Sequence, residues 1–452
     1  MTTSERLDRL PLGRFHYRLL LLSGLGWLFD SMDTGLVSFV LARLKVEWQL
    51  GPDQVAAIGS AGLAGMFLGG ALAGSCADRF GRKAIFQTTL LIFSIATGLC
   101  ALAQGFYSLL LLRLLVGFGL GGELPVAAAL VSEFAPARHR GRLVVLLESF
   151  WAFGWAAAAI IADLLARWAD ARGAGFPWRF AFAIGALPAL YVFILRRALP
   201  ESPRYLASRG RAAEAEAILR AVEAQSGVAP GGAARGPETG LPKDAATPPA
   251  RFLDLFAAGV RRRTTMLWIL WFAMAYSYYG IFIWLPALLV GQGFPVVQSF
   301  RFTLVITLAQ VPGYFAAAWL VERIGRKATL VPFMLGCAAA SFFFGSARDP
   351  GTLVLWGCLV SFFNLGAWGV AYGYTPELYP TRLRGTGTGF AAAFGRIGGI
   401  LAPLMVGRLM GAWGGGFHAV FIMFAAVLVA GAAGVLLLGE ETKGRTLEQI
   451  SG

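Results

Sequence analysis

Ionisable side chains stand well inside long, largely apolar stretches: Asp30, Asp33, Arg113, Glu123, Glu148 and Arg396. Charge is costly to hold in an apolar slab, so such residues are functional candidates by default. Asp30 and Asp33 are one helical turn apart and share a face. Two close carboxyl groups away from water do not both ionise easily, which suits a site that takes up and releases a proton. Arg113 and Asp33 stand at similar depth in their runs. Their pairing is read either as part of a proton switch or as a permanent ion pair locking two helices. Glu123, two residues before Pro125, either relays a proton or caps a backbone break. Proton coupling is therefore assigned to Asp30, Asp33, Arg113 and Glu123. Glu148, near the end of its run, is expected to pair with arginines of the adjoining loop.

Arg396 lies near the middle of its run beside Gly395, Gly398 and Gly399. A buried guanidinium needs an anion, and its planar fork suits a carboxylate. The other runs of its half offer no acidic partner, so the anion is either a bound carboxylate or an acid from the first half. Aromatic residues crowd three runs: Trp151, Trp155, Tyr276, Tyr278, Tyr279, Trp284, Trp368 and Tyr372. Their faces can hold a flat ring and their polar tips can bond its edge, although most aromatics in such runs are packing residues or anchors. The candidate binding set is Arg396, Trp151, Tyr276, Tyr279, Asn364 and Trp368.

Other chemistries find no support. Gly117-x-Gly119-x-Gly121-Gly122 sits within an apolar run with no preceding strand, so it is read as close helix packing and not as a dinucleotide loop. No phosphate-binding Gly-x-x-x-x-Gly-Lys loop, catalytic constellation or metal-ligand cluster is present. The chain is thus read as a non-enzyme with no catalytic residues, no metal and no cofactor beyond a coupling proton.

The elements that hold these residues follow from composition. The chain is 57% hydrophobic and 14% charged. Twelve apolar runs reach the roughly 20 residues that span a bilayer as helix: 17–41, 54–77, 84–103, 107–131, 143–166, 177–198, 264–290, 299–321, 328–346, 352–376, 386–409 and 416–438. They are continuous, not alternating, which excludes a barrel. A duplication divides them. Asp78-Arg79-x-Gly81-Arg82-Lys83 returns as Glu322-Arg323-x-Gly325-Arg326-Lys327, offset by 244 residues. Glu133, Pro136, Arg140 and Gly141 return at the same offset as Glu377, Pro380, Arg384 and Gly385. The expected fold is an all-α membrane protein of twelve transmembrane helices in two pseudo-symmetric six-helix halves, residues 1–198 and 263–452, joined by a cytoplasmic linker, 199–262. Duplicated halves are an architecture of alternating access.

Of 39 Lys and Arg, 29 fall on the side of the termini and 8 on the other, counting those at the ends of runs, with Arg113 and Arg396 deep inside runs. This positive-inside bias places both termini in the cytoplasm. The net charge of +14 is therefore read as topology, not nucleic-acid binding. The basic N-terminus runs straight into a full-length span, which is expected to serve as an uncleaved signal. Cys76, Cys100, Cys337 and Cys358 lie in or beside apolar runs and form no metal spacing. Arg outnumbers Lys, and Ala and Gly abound, which suggests a bacterial GC-rich genome; the expected location is then the bacterial cytoplasmic (inner) membrane. In the linker, 211–224 reads as a charged helix, 226–250 as a flexible tether, and 251–260 as an interfacial helix.

The loop Gly74-x-x-x-Asp78-Arg79-x-Gly81-Arg82-Lys83 resembles the signature of the major facilitator superfamily. So does Arg113-x-x-x-Gly117-x-Gly119. Pro200-Glu201-Ser202-Pro203-Arg204-Tyr205, Glu441-Thr442-Lys443-Gly444-Arg445 and Pro376-Glu377-Leu378-Tyr379-Pro380-Thr381 are similar to motifs of sugar porters and organic-ion transporters. Gly26-Trp27-Leu28-Phe29-Asp30-Ser31-Met32-Asp33 resembles the first helix of bacterial niacin transporters, which belong with metabolite:proton symporters and synaptic vesicle glycoprotein 2. The resemblance implies proton-coupled uptake of a small aromatic carboxylate, nicotinate first, by a monomer in the lipid bilayer. Alternatives are another organic ion, such as hydroxybenzoate or a cation, a sugar, or a non-transporting sensor or scaffold. It also implies a gate of Asp78, Arg79, Arg82, Glu133 and Arg140 in the first half and Glu322, Arg323, Arg326, Glu377 and Arg384 in the second, latching across the halves when closed. Glu322 in place of Asp, and Ala318 in place of the first Gly, predict a looser second copy.

Overall fold

A computed structural model describes residues 6–7, 9–136, 140–228, 252–380 and 383–443. Without water to satisfy the backbone, long apolar runs close their hydrogen bonds within helices. The first half contains α1 (Arg14–Glu47), α2 (Pro52–Phe80), α3 (Arg82–Cys100), α4 (Phe106–Phe134), α5 (Arg140–Asp170), α6 (Trp178–Gly185) and α7 (Pro188–Ala198). Then come α8 (Pro203–Ser208), α9 (Ala212–Gln225) and a 3-10 turn, Phe252–Phe256. The second half contains α10 (Arg261–Gly291), α11 (Val296–Leu308), α12 (Gln310–Ile324), α13 (Arg326–Ser346), α14 (Pro350–Glu377), α15 (Arg384–Met410) and α16 (Gly416–Leu438). Among the described residues twelve spans are long and apolar enough to cross a membrane, α6 with α7 and α11 with α12 counting as one each.

Both broken spans have a proline as cause. Pro188 has no N–H for the Ile184 carbonyl, which instead accepts from Leu187 N at 3.0 Å. Pro312 likewise leaves the Leu308 carbonyl without its helical donor. The observed helices outrun the predicted runs by up to a turn or two. Arg43, Lys45 and Glu47 continue α1 past its apolar stretch, because a helix does not stop where hydropathy does.

Small residues let helices touch. A Cβ on Gly69 would stand 1.9 Å from the Phe118 carbonyl oxygen, and one on Gly117 1.9 Å from that of Gly62. Spans α2 and α4 thus pack backbone on backbone, which accounts for the glycine run in α4.

The halves meet through α1 with α10, α2 with α15 and α5 with α11. Their joining contacts lie at mid-depth or toward the face opposite the duplicated loops. Phe300 of α11 stacks edge-on against Phe39 of α1 at 4.8 Å and Phe176 at 5.1 Å. Arg408 approaches Asp53 at 3.4 Å, and Ser60 donates to the Ile400 carbonyl at 2.7 Å.

The linker helix spans Ala212–Gln225, close to the predicted 211–224. It is docked by buried Arg6, which grips Glu223 through two 2.8 Å bonds and Glu216 through one of 2.6 Å. At 251–260 the expected interfacial helix is a short 3-10 turn. It buries Leu255 and leaves Phe252, Leu253 and Phe256 exposed. The predicted tether falls mostly at 229–251, outside the described residues.

Candidate functional site

Spans α1, α2, α5, α10, α12, α14 and α15 enclose a cavity of about 60 Å³ between the halves, room for about five waters. Its wall is aromatic: Trp27, Trp151, Trp271, Tyr278, Tyr279, Tyr314, Trp368 and Tyr372. Trp27 lies on Trp151 at 4.7 Å, and Trp151 Nε1 donates to the Tyr278 hydroxyl at 2.7 Å across the halves. Trp271 packs edge-on against Trp368 at 5.4 Å. The indole N–H groups of Trp27 and Trp368 are buried without a partner among the described residues.

Two charged side chains reach this wall, Arg396 and Glu148. Arg396 makes no ion pair within 4.0 Å among the described residues; Asp30, Tyr279 and Tyr372 are its electrostatic neighbours. The arginines of the adjoining loop expected to pair with Glu148, Arg138, Arg140 and Arg142, have side chains outside the described residues, and no ion pair to Glu148 forms among the described ones. Glu148 is buried on the cavity wall one turn before Trp151, because the helix carries it to the same face as that tryptophan.

Of the other candidate binding residues, Trp151, Tyr279 and Trp368 line the cavity. Tyr276 does not: its hydroxyl contacts Met423 Sδ at 3.0 Å and its ring Phe424. Asn364 lies behind the wall, donating to Ser277 Oγ at 3.0 Å and Cys337 Sγ at 3.6 Å. Trp155 and Trp284 are packing residues, Trp155 lying against Phe282. Trp27, Trp271 and Tyr314 were not singled out from sequence as wall residues. A signal for Trp271 was present: with Ala275, Tyr278 and Tyr279 it forms a stripe at i, i+4, i+7 and i+8 on α10. Tyr276, at i+5, faces away.

Behind the cavity, Asp33 Oδ2 accepts from Arg113 at 2.8 Å and Oδ1 from Thr97 Oγ1 at 2.7 Å. Gly62 leaves room for this guanidinium, 3.4 Å from where its Cβ would lie. Asp30 is fully buried and neither oxygen has a hydrogen-bond partner among the described residues. Its charged neighbours are Glu123, Asp33 and Arg396. Glu123 accepts from Thr89 Oγ1 at 2.6 Å through Oε1, while Oε2 is unpartnered among the described residues. Helix α4 runs unbroken past Pro125, so no break there needs a cap.

The duplicated loops build one device twice. Gly81 and Gly325 both adopt φ +104, a region costly for other residues. Each also makes space for a carboxylate, because a Cβ would stand 2.3 Å from Glu201 Oε2 or 2.5 Å from Glu441 Cδ. Glu201 Oε1 accepts from Arg82 N at 3.1 Å and Lys83 N at 3.2 Å, where helix α3 begins. Glu441 accepts from Arg326 N at 2.9 Å and Ala328 N at 3.2 Å at the start of α13. Such placement satisfies free N–H groups and complements the helix dipole. Arg82 pairs with Glu133 at 3.0 Å, and Arg326 with Glu377 at 2.8 Å.

These ion pairs close within each half. The expected latch across the halves is not formed among the described residues, consistent with halves that meet at the opposite face. Arg79 is exposed, its carbonyl accepting from Tyr205 and Arg209. Glu322 is exposed, and Arg323 lies over the Trp319 ring at 4.1 Å. The side chains of Asp78, Arg140 and Arg384 lie outside the described residues, as do Gly444 and Arg445. The four cysteines are free.

Comparison with known proteins agrees with this geometry. The family described as "Sugar (and other) transporter" matches residues 43–452. The niacin transporter NiaP of Acinetobacter baylyi is 50% identical over 100% of both chains. A Bacillus subtilis protein provisionally named a niacin/nicotinamide transporter is 44% identical, over 95% of this chain and 98% of that one. The xylose transporter XylE of E. coli in an inward-open conformation superposes with a TM-score of 0.75 at 20% identity, covering 96% of this chain and 99% of that one. The chain belongs to the sugar (and other) transporter family, and with it to the major facilitator superfamily.

Proposed function

We propose that this protein imports nicotinate together with a proton across a bacterial cytoplasmic membrane. The observation that carries the reading is Arg396, a guanidinium without an ion-pair partner among the described residues, on the wall of a small aromatic cavity. The niacin-transporter name of a relative identical at half its positions supports the same substrate. Arg396 takes the carboxylate through its fork, with the free N–H groups of Trp27 and Trp368 nearby. The indole and phenol faces hold the ring.

The proton is carried by the group around Asp30, Asp33 and Glu123. With Asp33 held by Arg113 and Thr97, Asp30 and Glu123 are the carboxyls with oxygens left to bind a proton. Protonation frees Asp33 from Arg113 during the other half of the cycle and so couples the proton to helix α1. With both termini cytoplasmic, the duplicated loops face inward, and halves that meet at the opposite face without a latch at the loops fit an inward-facing arrangement. Outward opening parts Phe300 from Phe39 and Phe176. It also brings Arg79, Glu322, Arg323 and the duplicated ion pairs together as a latch. The protein works as a monomer, with the proton gradient as its energy source.

Reconstituted vesicles test the whole reading. An inward-directed proton gradient should drive accumulation of labelled nicotinate, and dissipating the gradient should leave only equilibration. Uptake that ignores the gradient removes the coupling, and absence of nicotinate uptake removes the substrate.

A further inference from the structure

The cavity holds one more group that the uptake of a carboxylate does not require. Glu148 is 5% exposed, and no hydrogen bond or ion pair engages it among the described residues. It lines the same space as Arg396. Its electrostatic neighbours there are the phenols of Tyr279, Tyr314 and Tyr372. One guanidinium balances one anion. Once a substrate carboxylate occupies Arg396, Glu148 completes the charge balance as the neutral acid, and its buried O–H needs an acceptor.

We infer that Glu148 is a specificity-determining residue that recognises the ring nitrogen of a pyridine carboxylate while Arg396 holds the carboxylate. The inference rests on the nicotinate reading above. A pyridine nitrogen offers a lone pair in the ring plane, and a single proton lies between it and Glu148. Benzoate has the same ring and the same carboxylate but presents a C–H at that point. It therefore leaves the Glu148 hydroxyl unsatisfied in a buried site. Sites built to hydrogen-bond a substrate group discriminate strongly against analogues lacking it. The contact thus separates two ligands that Arg396 and the aromatic wall alone do not tell apart.

Quenching of tryptophan fluorescence reads binding directly, since four tryptophans line the cavity. The full chain in lipid nanodiscs is titrated with nicotinate and with benzoate at one fixed pH. Wild type should bind nicotinate at least about tenfold more tightly, the size of one good hydrogen bond. In Glu148→Leu that ratio should fall toward one through loss of nicotinate affinity. Glu148→Gln keeps an N–H donor and should retain part of the preference.

Equal wild-type affinities for the two acids overturn the inference even if Glu148→Leu does not fold. So does an unchanged ratio in a folded Glu148→Leu, or an equal loss of both acids, which would make Glu148 a structural partner of Arg396. If wild type binds neither acid, the nicotinate reading itself has failed, a result distinct from all of these.

Discussion

At the loop face the two halves of this transporter are copies; at bilayer depth they are not. Glycine, arginine and glutamate recur around Gly81 and Gly325 with the same φ, the same ion pair and the same carboxylate over a helix start. Deep in the spans, the first half carries Asp30, Asp33, Arg113, Glu123 and Glu148, whereas the second carries Arg396. The difference separates two tasks. Opening and closing treats both halves alike, so symmetric parts suit it. Coupling a proton to a substrate needs two unlike sites, and it is there that the copies diverge.

The strongest test of that division is Asp33→Asn. Asparagine imitates a permanently protonated acid, so gradient-driven accumulation of nicotinate should be abolished while counterflow exchange partly survives. Full accumulation by the variant would take Asp33 out of the coupling.

Arg396 should then affect binding where Asp33 affects coupling. Arg396→Ala should weaken nicotinate by at least about tenfold, because a charge-assisted contact to a carboxylate contributes roughly 1.5–3 kcal/mol. Arg396→Lys, with charge but no fork, should recover only part. Nicotinamide, which lacks the anion, should bind wild type weakly and lose little more. Calorimetric titration of both ligands decides the point, and normal nicotinate binding by Arg396→Ala would make that residue structural.

The loop face should answer symmetrically. Glu133→Gln and Glu377→Gln each weaken one ion pair, and each should cost about 1 kcal/mol; the glutamine oxygen at 377 can keep the bond that Glu377 Oε2 accepts from Thr442 Oγ1 at 2.6 Å, while Glu133 Oε2 has no such partner among the described residues. Thermal unfolding in nanodiscs should shift by similar amounts for the two variants. A clearly larger shift for one would show that the copies have diverged at this face as well.

The smallest expected effect is a pH dependence at Glu441. Burial pushes its carboxyl up, but the backbone N–H groups of Lys443, Arg326, Ala328 and Thr442 outweigh that and hold it below the ordinary glutamate value. A depressed acid contributes stability above its unfolded value of about 4.3 and loses it as pH falls through the lower folded value. Glu441→Gln should therefore be slightly less stable than wild type at neutral pH. The gap should close below about pH 4. A gap that stays constant down to pH 3 would contradict this account.

Much of this was legible in the chain itself. Continuous apolar runs of bilayer length specify spanning helices, because only helices and closed barrels satisfy a backbone in lipid and a barrel strand alternates. The 244-residue offset specifies two like halves. The depth match of Asp33 and Arg113 anticipates their pairing, since both positions are counted from the same membrane surface.

Tertiary structure alone decided which residues meet. Helical spacing says which side chains share a face, but not which neighbour the face meets. Tyr276 and Tyr279 lie on one helix, yet α16 receives the first and the cavity the second. Asn364, an amide within an apolar run, is taken up by Ser277 and Cys337 behind the wall. Glu148 looks from its position like a loop-facing residue, yet it lines the cavity. The cavity is assembled from seven spans distant in sequence, and the carboxyl cluster behind it draws on α1, α3 and α4. Their composition depends on the rotation and packing of whole helices, which no local pattern encodes.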